Sequence, residues 1–150
     1  MIRGFLLKIG FLIGVALFST GCVNKATATP YPAADAAKIK TIYVKKLAAD
    51  DGGVNVLIAN KLRTMGYESK TGIEESPSAD IIVTYVDKWM WDITMYMIEL
   101  TVVVREPITD YPLATGNSMH TSLTRKSPVE MVDEVINNIF NQKGTANVEK

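Results

Sequence analysis

Ile81-Ile-Val-Thr-Tyr-Val-Asp-Lys-Trp89 and Thr94-Met-Tyr-Met-Ile-Glu-Leu-Thr-Val-Val-Val104 decide the fold. Both runs are dense in β-branched and aromatic residues, which suit a pleated, half-buried surface. Between them Met90-Trp91-Asp92 can make a tight reversal, so the pair reads as one long antiparallel hairpin. Glu106-Pro107 ends the second strand, because Pro lacks the donor that a central strand needs.

Downstream of the hairpin, Thr109-Asp110-Tyr111-Pro112 is a turn. Leu113 to Thr124 reads as a further strand, with Leu113, Met119, Thr121 and Leu123 on one face and small or polar residues on the other. Ser127-Pro128-Val129-Glu130 then carries three helix-start signals: a capping Ser, a Pro at the first helical position and a Glu placed for a capping box. Val132, Val135, Ile136, Ile139 and Phe140 form the apolar stripe of that helix. Upstream, Ile39, Ile42 and Val44 mark a strand that Lys45-Lys46 ends. Asp50-Asp51-Gly52-Gly53 opens an amphipathic helix through Val54, Leu57, Ile58, Leu62 and Met65, and Gly66 stands where a left-handed residue would close it. A short edge strand is expected around Tyr67–Lys70. The order strand, helix, three strands, helix predicts an α+β two-layer sandwich: a mostly antiparallel, mixed sheet with two helices on one face.

The amino terminus has a different character. Arg3 and Lys8 precede an apolar core over residues 9–18, and Ser19-Thr20-Gly21 leads to Cys22, the layout of a secretory signal peptide. The uncharged stretch, residues 9–24, is too short for a membrane-spanning helix of about 20 residues. The chain reads as a signal peptide over 1–21, an anchor and extended tether over 22–38, a domain over 39–142 and a polar tail over 143–150. The tether is rich in Ala, Thr and Pro and shows no period.

Gly21-Cys22 after an apolar stretch resembles the lipobox of bacterial lipoproteins, with Ser19 where Leu is commonest. That resemblance implies acylation of Cys22. With Val23-Asn24 following, it implies retention in the outer membrane, facing the periplasm. The strand-helix-hairpin-strand-helix order and Ala79-Asp80-Ile-Ile-Val are similar in layout to short Gram-negative lipoproteins, the TolB amino-terminal domain and the lipopolysaccharide-assembly lipoprotein among them. Such proteins are non-enzymatic parts of envelope assemblies, and the likeness implies the same role here.

Charge excludes other classes. The chain has 16 basic and 16 acidic side chains. Loss of Arg3 and Lys8 with the leader would leave a net −2, which argues against binding nucleic acid or anionic lipid through bulk charge. One Cys and one His exclude an internal disulfide, a Cys-based zinc site and a His-rich metal cluster. His120 is the one side chain that titrates near neutral pH when unperturbed. It lies among Thr115, Ser118, Thr121, Ser122 and Thr124 and reads as a surface His, since no G-x-S-x-G turn presents a nucleophile. Glu74, Glu75, Asp87, Asp92 and Glu99 are scattered, so no catalytic residue, metal or cofactor is assigned.

The unusual stretch is Trp89-Met-Trp-Asp-Ile-Thr-Met-Tyr-Met97, which holds both tryptophans and three of the seven methionines. Trp89, Trp91 and Tyr96 are candidates for a partner contact; core packing is the other reading. The expected function is a lipid-anchored scaffold or assembly partner, bound to the membrane through its acyl chains and to an envelope protein. The alternatives are a carrier or sensor of lipid or glycan, with an apolar cleft between sheet and helices, and an envelope hydrolase around His120.

Overall fold

The hairpin is the centre of the sheet. The computed structural model describes residues 25–73 and 78–140, so the signal peptide, Cys22 and the polar tail lie outside the described residues. Strands β4 (Ile81–Trp91) and β5 (Met95–Arg105) pair antiparallel over their whole length. The reversal falls at Asp92-Ile93-Thr94, one to two residues later than expected. Asp92 explains the shift, because its carboxylate accepts the backbone N–H groups of Ile93 and Thr94 and the guanidinium of Arg125. Both tryptophans therefore stand on β4.

Around the hairpin stand β1 (Lys25–Thr29), β2 (Thr41–Lys45), β3 (Glu68–Gly72) and β6 (Pro112–Met119). The sheet order is β1-β6-β5-β4-β2-β3. Only β2 makes parallel pairs, with β3 and with β4; the other pairs are antiparallel. Two helices, α2 (Val54–Thr64) and α3 (Pro128–Phe140), cover one face and touch each other, as the two-layer reading requires. Val44, Val54, Ile58, Leu62, Val83, Met97, Leu100, Val102, Met131, Ile136 and Ile139 are fully buried between the layers. Gly66, at φ 97°, closes α2 as expected: its N–H donates to Arg63 and the Tyr67 N–H to Leu62.

Three expectations need correction. Residues 25–29, expected in the tether, form edge strand β1 against β6, and the four-residue helix α1 (Ala33–Ala36) follows. Lys25-Ala-Thr-Ala-Thr29 has no large apolar residue; its position comes from backbone pairing to the open edge of β6, a tertiary term. Tyr31 adds a second attachment, stacking on Phe140 at 6.1 Å and donating its N–H to the Ile139 carbonyl. Strand β6 stops at Met119, and residues 122–124 form a 3₁₀ turn instead of strand. Finally, the small-residue face of β6 is the buried one. A Cβ on Gly116 would lie 2.9 Å from both Val135 and Ile139, so Ala114, Gly116 and Ser118 make the shallow seat that lets α3 sit directly on the sheet.

Candidate functional site

A β-bulge at Lys88/Trp89 lets the hairpin extend past its neighbours, with Trp89 opposite Met97, Met90 opposite Tyr96 and Trp91 opposite Met95. Strand alternation puts Trp89 and Trp91 on the helix-bearing side of the sheet, beyond the helices. Trp89 is 40% exposed; its ring lies over Gly52, where an added Cβ would come within 3.2 Å, and its indole N–H donates to Asp87. Trp91 is 68% exposed and Ile93 86%, with Met90 and Met95 also open.

Tyr96 differs. At 8% exposure it is buried on the other face, under the Arg125 guanidinium, which sits 4.1 Å above its ring. Its hydroxyl approaches the Met90 sulfur. Arg125 also binds Asp92 and Thr94, so one side chain from the loop before α3 holds the turn and covers Tyr96. This guanidinium and the Ile93 N–H hold the Asp92 carboxyl below the usual carboxylate range. Of the three contact candidates, Trp89 and Trp91 are presented to solvent and Tyr96 is a support beneath them.

The chemistry expected around His120 takes another form. His120 is only 5% exposed, so it is not a surface His; the reason is that β6 turns its small-residue face inward. Ser118 and His120, two residues apart, share that face, and both meet Glu134 of α3. Ser118 Oγ donates to Glu134 Oε2 at 2.6 Å, His120 Nε2 lies 2.8 Å from the same oxygen, and Lys126 Nζ is 2.8 Å from Oε1. Burial pushes the Glu134 carboxyl up, but hydrogen bonds from Lys126, Ser118 and His120 outweigh it and bring it down to about 2. A Ser–His–acid relay needs the imidazole in the middle; here the carboxylate is in the middle and takes the serine's hydrogen bond. His120 Nδ1 is buried without a hydrogen-bond partner among the described residues. The cluster fastens α3 to β6.

A buried carboxylate, Asp50, escaped the sequence reading. Asp50 accepts the Tyr85 hydroxyl at 2.5 Å and the N–H groups of Val54 and Asn55, so it ties the start of α2 to the hairpin. Burial raises this carboxyl, and those three hydrogen bonds bring it below its ordinary value. The Asp-Asp-Gly-Gly signal marked the helix start but not which Asp would be buried.

No family model matches the chain, and no curated protein matches it. Its fold has solved counterparts. A PelC dodecamer from Paraburkholderia phytofirmans, in a form carrying a single substitution, superposes with a TM-score of 0.60 at 14% identity, over 77% of this chain and 97% of that one. A second PelC dodecamer structure from the same organism gives 0.59, again at 14% identity, over 77% and 96%. At this identity the likeness to PelC is one of fold.

Two grooves lie outside the layer between sheet and helices. One of about 360 Å³ runs between the outer sides of α2 and α3, past Leu57, Lys61, Val129 and Asp133. Another, of about 320 Å³, lies beside Leu47, Ile73 and Tyr85. Among the described residues the layer between sheet and helices is filled by side chains, and no group of three or more His, Cys, Asp or Glu is placed to hold a metal.

Proposed function

We propose that this protein is a non-enzymatic, lipid-anchored protein of the bacterial envelope, held through Cys22 at the periplasmic face of the outer membrane. It works by contact, as a scaffold or assembly partner. The observation that carries this reading is the hairpin tip, where Trp89, Met90, Trp91, Ile93 and Met95 are all exposed at the end of a two-strand arm. The lipobox-like Cys22 supports the anchor, and the fold likeness to PelC, itself a dodecamer, supports a role in an assembly. The polar cluster at Glu134 is used in fastening a helix, which supports a role without catalysis.

The test is fractionation of cells making wild type or Cys22→Ala, with the mass of the mature protein measured. Wild type is expected in the membrane fraction with Cys22 as an acylated amino terminus, and Cys22→Ala in the soluble fraction or uncleaved. A Cys22→Ala protein that is processed and sediments with membranes as wild type does would overturn the anchor.

A further inference from the structure

The strand register places the beginning of the domain and the hairpin tip at one end of the sheet. Lys25 pairs with Met119, Met119 with Glu99, and Glu99 with Lys88, so these four residues form one row across β1, β6, β5 and β4. β1 runs away from this row toward Thr29, and β4 runs past it through Trp89, Met90 and Trp91. Three strand residues span about 10 Å, and three strand spacings separate β1 from β4 by about 14 Å. Cys22 precedes Lys25 by three residues, a reach of at most about 11 Å. A membrane holding Cys22 is therefore within reach of the tip.

The same end carries another exposed apolar side chain. Leu123, in the 3₁₀ turn that follows β6, is more than 70% exposed there, whereas Ile73, after β3, is exposed level with Tyr85, short of the row. At the opposite end, in the β5–β6 turn, the exposed large apolar residues are Ile108 and Tyr111. Trp favours the boundary between headgroups and acyl chains, where an apolar ring and a polar N–H are both satisfied. Arg125 and Lys88 flank the tip, Arg125 paired with Asp92 and Lys88 with Glu99, so the turn's carboxylate is charge-paired.

We propose that the surface met by the hairpin tip is the lipid bilayer that holds the anchor: Trp91, Ile93 and Met95 enter its headgroup region, with Trp89 and Leu123 beside them. The domain then stands with its strands steeply inclined to the membrane, and the β5–β6 turn points away from it. This inference rests on acylation of Cys22. It deepens the proposed contact role by naming the bilayer as the surface that the tip meets.

Both tryptophans of the chain are at the tip, so intrinsic fluorescence reports on this site alone. The experiment takes the acylated full-length protein, extracted from membranes and reconstituted into vesicles of phosphatidylethanolamine and phosphatidylglycerol, with or without brominated acyl chains. The expected result is at least a twofold loss of tryptophan emission with brominated lipid, and loss of that quenching in Ile93→Asp/Met95→Asp protein that still floats with the vesicles. Vesicle-bound wild type whose tryptophans are quenched by acrylamide but not by brominated lipid would overturn the proposal while leaving the anchor intact. Tryptophans shielded from both quenchers would overturn it in favour of a protein contact. A mature protein whose mass shows no acyl chains on Cys22 removes the anchor itself, and that result is distinct from the other two.

Discussion

Glu134 shows how much one carboxylate can organise. It is ionised against three donors from two places in the chain: Ser118 and His120 at the end of β6 and Lys126 in the loop. Glu134→Gln keeps the size but removes the charge, and its expected cost at neutral pH is about 1.5–3 kcal/mol, the range for a hydrogen bond to a charged group. The pH dependence has a definite sign. The carboxyl is held at about 2 in the folded protein, below its ordinary value, so its contribution is complete above the ordinary carboxylate range and is lost as the pH falls toward 2. Chemical unfolding at pH 7 and pH 3 should show the gap between wild type and Glu134→Gln narrowing in acid. A gap that widened in acid would show that Glu134 is not the acceptor described.

At the scale of elements, the start of α3 and the tip of the hairpin make opposite demands on sequence. The capping box forms as its spacing implies: Ser127 N–H donates to Glu130 Oε2 at 2.8 Å, and Glu130 N–H to Ser127 Oγ at 3.3 Å. Ser127→Ala should cost about 1 kcal/mol. Adding Glu130→Ala should cost less than the sum of the two single changes, since they remove one box. Full additivity in urea unfolding would count against reciprocal capping. The hairpin separates into a buried stem and an open tip. Met97, fully buried opposite Trp89, should lose about 2–5 kcal/mol on change to Ala. Trp91→Ala should fall within about 0.5 kcal/mol of wild type, as exposed changes do. A Trp91→Ala loss as large as that of Met97→Ala would make Trp91 part of the core and remove it from any contact surface.

The whole molecule is tied together by carboxylates that bridge elements. Asp50 joins α2 to the hairpin, Asp80 accepts the Lys40 and Thr41 N–H groups at the start of β2, Glu99 joins β4 to β6 through Lys88 and Asn117, and Glu134 joins α3 to β6. All four are held below their ordinary values, for Asp50 and Glu134 against the opposing effect of burial. Each favours the folded state above the ordinary carboxylate range and ceases to do so as the pH falls through its folded value. The melting temperature should therefore drop steadily as the pH is lowered below about 4.5, with the helices and the sheet lost together. Melting that rose on acidification over this range would contradict the hydrogen-bond assignments.

Local chemistry determined most of the elements. Periodicity marked α2 and α3, Gly66 closed one and Ser127-Pro128 opened the other, and the β-branched runs marked the hairpin, because these signals act within one or two turns of chain. The density of Trp and Met over residues 89–97 marked the tip for the same reason. Tertiary structure decided what no short window contains. Strand β1 exists through pairing to an edge that lies some ninety residues away in the chain. The buried face of β6 was settled by Gly116, whose missing side chain admits α3, so His120 went inward and met Glu134. Tyr96 was covered by Arg125, 29 positions along the chain. In each case a long-range contact outweighed a local preference of about 1 kcal/mol or less. The row from Lys25 to Lys88 is of the same kind: only the register of four strands brings the start of the domain and the two tryptophans to one end.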